Sequence, residues 1–163
     1  EYLLAIAEES LQKGLPVKFT IIGEGAEREK IARLVEPLSN ITILPFVDRE
    51  GLKPIIDRHD AFYVSFMNID VLHTGCPNKY FDGLAAGKLM ILNLGGWLKE
   101  LTEYNNCGFA YDPENPTEFI DKLMPYLENE ALVFTAQENA HMLAREYSVT
   151  SIQRKMISFI EES

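Results

Sequence analysis

The chain has 163 residues, 47% of them apolar and 10% aromatic, and its 15 Lys and Arg against 25 Asp and Glu leave a formal net charge of −10. That length suits a single domain enclosing one core, and the acidic balance excludes broad binding to nucleic acid or to an anionic membrane, which needs a basic face. Cys76 and Cys107 make neither a disulfide framework nor a Cys-x-x-Cys zinc motif, so a reducing, cytoplasmic setting is the simplest reading.

Glu1–Lys13 is predicted to be an amphipathic helix with Leu3, Leu4, Ala7 and Leu11 on one stripe. Val17–Ile22 is a short β-branched and aromatic run, closed by Gly23-Glu24-Gly25, which marks a buried strand and a turn. Ala26–Pro37 is helical, with Ile31, Leu34 and Val35 on one face, and Ile41–Leu44 is a second strand. Arg49–Arg58 is a helix with Leu52, Ile55 and Ile56 inward, and Pro54 either kinks it or sits in its first turn. Ala61–Phe66 is a third strand. A polar stretch, Met67–Cys76, leads into a helix at Pro77–Ala86, with Pro77 suited to a first helical position and Gly87 to the C-terminal cap. Leu89–Asn93 is a fourth strand, Gly95-Gly96 turns into a helix at Trp97–Tyr104, and Gly108–Tyr111 is a last strand broken by Asp112-Pro113. Helices follow at Thr117–Leu127, Glu130–Tyr147 and Thr150–Glu161.

Strands alternating with helices of this length specify an α/β fold: one doubly wound parallel sheet with right-handed crossovers and a helical C-terminus. In such a sheet a strand should precede the first helix and lie centrally. Here the helix comes first, so the reading expects residues 1–163 to be one domain of a longer protein whose first strand lies upstream.

Ligands of open α/β sheets sit outside the C-terminal ends of the strands. Five loops qualify: 23–25, 45–49, 67–78, 93–97 and 111–115. Gly23 and Gly25 form a G-x-G without the third glycine of a dinucleotide fingerprint, since Arg28 stands there; the pair is either a tight turn or a phosphate or sugar contact. Pro77-Asn78-Lys79 opens a helix after a strand, where free backbone N–H groups suit a diphosphate. Asp82 shares the face of Lys79 and could accept both hydroxyls of a ribose, or the two could simply form an i,i+3 ion pair. Gly95 and Gly96 let backbone approach a ligand closely, and Trp97 either walls a pocket or fills the core. His73 is either a polar contact or a bystander, His141 a surface residue, and no base is placed to make Cys76 a nucleophile.

From Pro77 to Lys88 onward the sequence resembles the C-terminal, nucleotide-binding domain of family-four (group 1) retaining glycosyltransferases of the GT-B fold. The pieces lie in family order. "FTIIGEGAEREKI" (Phe19–Ile31) is similar to its strand–GxG–helix, "NITILPFVDREGL" (Asn40–Leu52) to its nucleoside loop and "DAFYVSF" (Asp60–Phe66) to its fourth strand. "PNKYFDGLAAGKLMILNLGGW" (Pro77–Trp97) is similar to its donor-binding core, "NNCGFAYDPENPTEFIDKL" (Asn105–Leu123) to its closing strand and helix, and "REYSVTSIQRKM" (Arg145–Met156) to its final crossover helix.

The resemblance implies a Rossmann-like domain that binds a nucleotide-sugar donor, taken here as a UDP-sugar, for surface polysaccharide or capsule synthesis. Backbone at Phe46, Val47 and Asp48 would meet the base, and Asn78 and Lys79 the diphosphate. Asp82 would stand for the second glutamate of the family's E-x7-E motif. The first falls on Thr74, and the usual Pro after Gly-Lys is Leu89. No Asp-x-Asp occurs, so neither metal nor cofactor is expected. The catalytic groups and the glycan or lipid-linked acceptor site would belong to an N-terminal domain, and the whole protein would at most attach peripherally to the inner face of the plasma membrane. The other reading is a non-catalytic module binding a nucleotide or a partner, which the Thr74 departure favours.

Overall fold

The computed structural model describes residues 2–162. Its elements run α1 (Tyr2–Gln12), β1 (Phe19–Ile22), α2 (Arg28–Val35), β2 (Ile41–Leu44), α3 (Arg49–Asp57), β3 (Ala61–Val64), α4 (Asp70–His73), α5 (Asn78–Ala85), β4 (Leu89–Leu92), α6 (Gly96–Tyr104), β5 (Gly108–Ala110), α7 (Pro116–Glu128), α8 (Glu130–Glu146) and α9 (Val149–Glu161). The expected alternation is there, with strand ends trimmed by one or two residues. Glu1, where the expected first helix opens, lies outside the described residues. Pro54 falls inside α3, and α4 is a turn of helix within the stretch expected to be an irregular polar loop.

Every strand pairing is parallel, as the alternation requires. The strands nevertheless divide into two sheets, β1-β2 and β3-β4-β5, where a single one was expected. The break falls between β1 and β3.

The three-stranded sheet has helices on both faces, and β4 reads Leu-Met-Ile-Leu because both of its faces are buried. Leu89 and Ile91 point into a cluster with Ile6 of α1, Phe109, Tyr111, and Phe119, Ile120 and Leu123 of α7. Met90 and Leu92 point the other way, into Tyr80 and Leu84 of α5, Leu98 of α6, and Ala140 and Leu143 of α8. The buried stripe of α1 is Ile6, Ala7 and Ser10, rather than the expected Leu3, Leu4, Ala7 and Leu11. The helix can turn this way because the Ser10 hydroxyl is satisfied by the Ile6 carbonyl at 2.6 Å. Leu34, expected inward, is exposed on α2.

The helix that begins the informative motif is closed at its far end as expected. Gly87 has a φ of 60°, its N–H bonds the Leu84 carbonyl, and the Lys88 N–H bonds that of Gly83, which is a Schellman cap. At the near end Pro77 is the cap residue itself rather than the first helical one, with extended φ and ψ. No helix among the described residues is long and apolar enough to cross a membrane.

Candidate functional site

The C-terminal ends of β3 and β4 are joined by one side chain. The amide of Asn93, just past β4, accepts from the Phe66 N–H at 2.9 Å and donates to the Phe66 carbonyl at 2.8 Å. It is fully buried and acts as an extra rung where β3 leaves the sheet. Sequence reasoning missed it, since an Asn closing an apolar run reads as a turn residue. Asn93→Ala would orphan both Phe66 groups, and denaturant unfolding should show a loss of about 2–4 kcal/mol. A loss below about 1 kcal/mol would mean that water replaces the amide.

Beyond Phe66 the chain makes the loop that carries Thr74, and this loop is tied to the start of α6. The Trp97 indole N–H donates to the Gly75 carbonyl at 3.1 Å, and His73 Nε2 pairs with the Asn68 amide oxygen at 3.1 Å. Gly96 has a φ of 73°, and a Cβ there would lie 2.2 Å from the His73 carbonyl oxygen. The close approach foreseen at Gly95-Gly96 is therefore made by the protein's own backbone. Trp97 is half-buried against the core and clamps the loop. Thr74 is exposed, and its hydroxyl donates to the Val71 carbonyl at 2.9 Å.

Lys79 and Asp82 do not form the ion pair that was one of their two readings. The Lys79 ammonium donates to the Ser65 carbonyl at 2.7 Å and lies 3.9 Å from the centre of the Phe66 ring. Its half-burial lowers its pKa from the usual lysine range, because the charged form loses solvent. A cation is thus parked at the C-terminal end of β3. Asp82 is exposed, and no hydrogen bond or ion pair occupies its carboxylate among the described residues.

The other sequence-derived positions lie on the opposite side of the break. Gly23 and Gly25 line a concavity of about 180 Å³ with Ile21, Ile43, Arg28 and Ile31, next to the 3.3 Å Glu24–Arg28 ion pair. Phe46 is 69% exposed after β2. Val47 is half-buried behind it, and the Asp48 carboxylate caps α3 by accepting from the Gly51 N–H at 2.8 Å. His59 is bonded to the Ile55 carbonyl and to Thr20, and His141 is a surface residue of α8.

Helix capping divides the helices on both sides of the break. The Asp48, Asn115, Asn129 and Ser148 side chains cap α3, α7, α8 and α9. The starts of α2, α5 and α6, which follow the G-x-G, Pro77 and Gly95 turns, receive no side-chain cap, and neither does the one-turn α4. Within those first turns the Arg28 N–H bonds the Gly25 carbonyl at 3.1 Å and the Tyr80 N–H that of Pro77 at 3.0 Å, so no side chain competes with an incoming acceptor at these helix starts.

Comparison with known proteins decides the family. The model of "Glycosyl transferases group 1" matches residues 1–129. The chain belongs to that family. Among curated proteins it is similar to a poly(ribitol-phosphate) α-N-acetylglucosaminyltransferase of Staphylococcus aureus, at 24% identity over 97% of this chain and 32% of that protein. It is also similar to an uncharacterized glycosyltransferase of Haemophilus influenzae, at 22% identity over 93% of this chain and 42% of that one. The group 1 domain thus spans a third to two-fifths of these relatives. Among solved structures, S. aureus TarM in complex with fondaparinux, α-GlcNAc-glycerol and UDP superposes with a TM-score of 0.76 at 19% identity, over 96% of this chain and 31% of that one. WaaG, a glycosyltransferase involved in lipopolysaccharide biosynthesis, superposes at 0.62 with 20% identity, over 98% and 42%. These likenesses establish the GT-B fold.

Proposed function

We propose that this chain is the donor half of a retaining glycosyltransferase that takes a UDP-linked sugar, with a hexosyl or N-acetylhexosaminyl residue, and adds it to a cell-surface glycan. The observation that carries the reading is the uncapped N-terminus of α5 at the end of β3, with the parked Lys79 ammonium in its first turn and the unpartnered Asp82 carboxylate one turn on. The N–H groups and Lys79 can meet a leaving diphosphate, whose charge grows as the glycosidic bond breaks. Asp82 can take the ribose diol. Phe46, Val47 and Asp48 would meet the base through their backbone, and Gly23 and Gly25 leave room beside the phosphates. The family and the UDP held by the TarM structure support the choice of donor. In this reading no metal or cofactor takes part. The acceptor, a glycan or lipid-linked sugar, is held by another domain of the whole protein, at the cytoplasmic face of the membrane.

A second reading, a nucleotide-binding module without catalysis, draws on Thr74, whose hydroxyl is turned onto its own loop where the family motif has an acid. Titration calorimetry with UDP, GDP and NAD tests the first point. The expected result is UDP binding in roughly the high-micromolar to millimolar range, near −4 to −6 kcal/mol. Asp82→Ala should weaken it by about 1.5–3 kcal/mol at unchanged melting temperature, because the side chain is exposed. Unchanged UDP affinity in that variant, or preference for GDP or NAD, would overturn the assignment. Sugar transfer by the whole protein, absent from this chain alone, separates the catalytic reading from the module.

A further inference from the structure

Given the donor reading above, on which this rests, we infer that Phe66 is a positioning residue: its ring holds the Lys79 ammonium away from Asp82, so that a cation and a carboxylate on one helix stay available for different parts of a nucleoside diphosphate.

The separation of these two charges needs a cause. Asp82 follows Lys79 at a spacing where side chains on a helix meet. Elsewhere in this chain the same spacing, or one residue more, closes into ion pairs: Lys30 with Glu27 at 2.8 Å, Lys53 with Asp57 at 2.7 Å and Lys122 with Glu118 at 2.8 Å. Lys79 instead turns from the exposed Asp82 carboxylate toward the end of β3, and among the described residues it meets no carboxylate at all.

What draws it there is a neutral seat with two sides. The Ser65 carbonyl takes one of the ammonium's N–H donors at 2.7 Å, and the Phe66 ring, its centroid 3.9 Å from Nζ, presents the negative face of its quadrupole. Neither partner carries a formal charge, so the positive charge of Lys79 is left uncancelled, with N–H donors to spare for an incoming phosphate. Half-burial removes solvent from the cation and lowers its pKa, and the ring and carbonyl offset part of that loss.

Both ends of the seat are anchored. The buried Asn93 amide bonds the Phe66 N–H and C=O at 2.9 and 2.8 Å, so the ring does not drift with the loop beyond it. Tyr80, next to Lys79 in the first turn of α5, is fully buried, and its hydroxyl pairs with that of Thr102 on α6 at 2.9 Å, which fixes the rotation of α5. The Lys79 stem thus spans two fixed points. A leucine at position 66 would fill similar space without a π face. The ammonium, left with a single carbonyl, would be drawn to Asp82, and the two charges would cancel each other.

Two measurements test this. In the free chain the Lys79 ε-methylene proton resonances should lie upfield, shifted by the Phe66 ring current, and should move to the usual lysine position in Phe66→Leu. Followed against pH, the Lys79 titration should rise in Phe66→Leu as the ammonium pairs with Asp82, and fall back when Asp82→Asn is added. In UDP titrations followed by amide chemical shifts, Phe66→Leu should bind about tenfold more weakly than the parent, and Phe66→Tyr, which keeps the ring, less than about threefold more weakly. Added to Lys79→Met, Phe66→Leu should cause less than about a threefold further loss, because its effect passes through the ammonium. A purely structural Phe66 predicts the same loss with or without Lys79, and that result overturns the inference. So does UDP binding by Phe66→Leu at the parent's affinity, or a parent whose Lys79 resonances show no ring-current shift. Failure of the parent itself to bind UDP overturns the donor reading and this inference with it, whereas the three preceding outcomes leave the donor reading standing.

Discussion

Gly108→Ala is expected to leave this domain unfolded. Gly108 sits opposite Met90 in the β4–β5 ladder, and a Cβ there would lie 1.8 Å from the Met90 carbonyl oxygen and 2.6 Å from its carbon. The obstacle is backbone, so no rotamer relieves it. Relief requires β5 to leave β4, and with it Phe109 and Tyr111 from the cluster on α7. Separating those contacts should cost more than about 4 kcal/mol, a large part of the 5–15 kcal/mol that holds a typical domain together. Circular dichroism on heating is the measurement, with Gly14→Ala as reference, since Gly14 has φ of 66° but nothing within 4 Å of its Cβ position. The reference should lose about 1 kcal/mol from backbone strain alone. A cooperative melt of Gly108→Ala within a few degrees of the parent would show that β5 is not held as described.

Gly96→Ala is expected to cost about 3 kcal/mol or more and to detach the Thr74 loop from α6. Here strain and collision coincide: φ is 73°, and the Cβ position is 2.2 Å from the His73 carbonyl oxygen. The loop must retreat, and the Trp97–Gly75 bond goes with it. If the proposed function holds, UDP binding should fall further than in Asp82→Ala, because the helix starts and the loop lose their common frame. A variant melting like the parent, with the Trp97 indole N–H resonance unmoved, would show that the loop gives way at no cost.

The strands of this fold were legible because each is a short apolar run between turn residues, and β4, buried on both faces, is apolar throughout. The split of the sheet was not legible: the alternation of strands and helices reads as one sheet, and strand pairing is set by contacts distant in sequence. The local placement of the candidate residues was legible, and their partners less so. Pro77, Asn78, Lys79 and Asp82 share one helix start, as the spacing requires. The destination of the Lys79 ammonium depends on a carbonyl fourteen positions away, which no local spacing encodes. For Gly96 the sequence announces a close approach but not by what, because the His73 backbone comes near only after α4 has formed. Asn93 was invisible for a similar reason, its partner being the end of another strand.

The packing of α1 against α7 has a consequence for synthesis. Ile6 is buried together with Phe119, Ile120 and Leu123, residues more than a hundred positions later. At about 5–20 residues per second on the ribosome, α1 waits on the order of ten seconds before its cover exists. During that wait the β1-β2 pair and its open edge are exposed in a chain that cannot yet close. The nascent domain should therefore depend on dilution or on a chaperone until α7 has emerged, and its yield should respond to translation speed ahead of Pro116 more than after it.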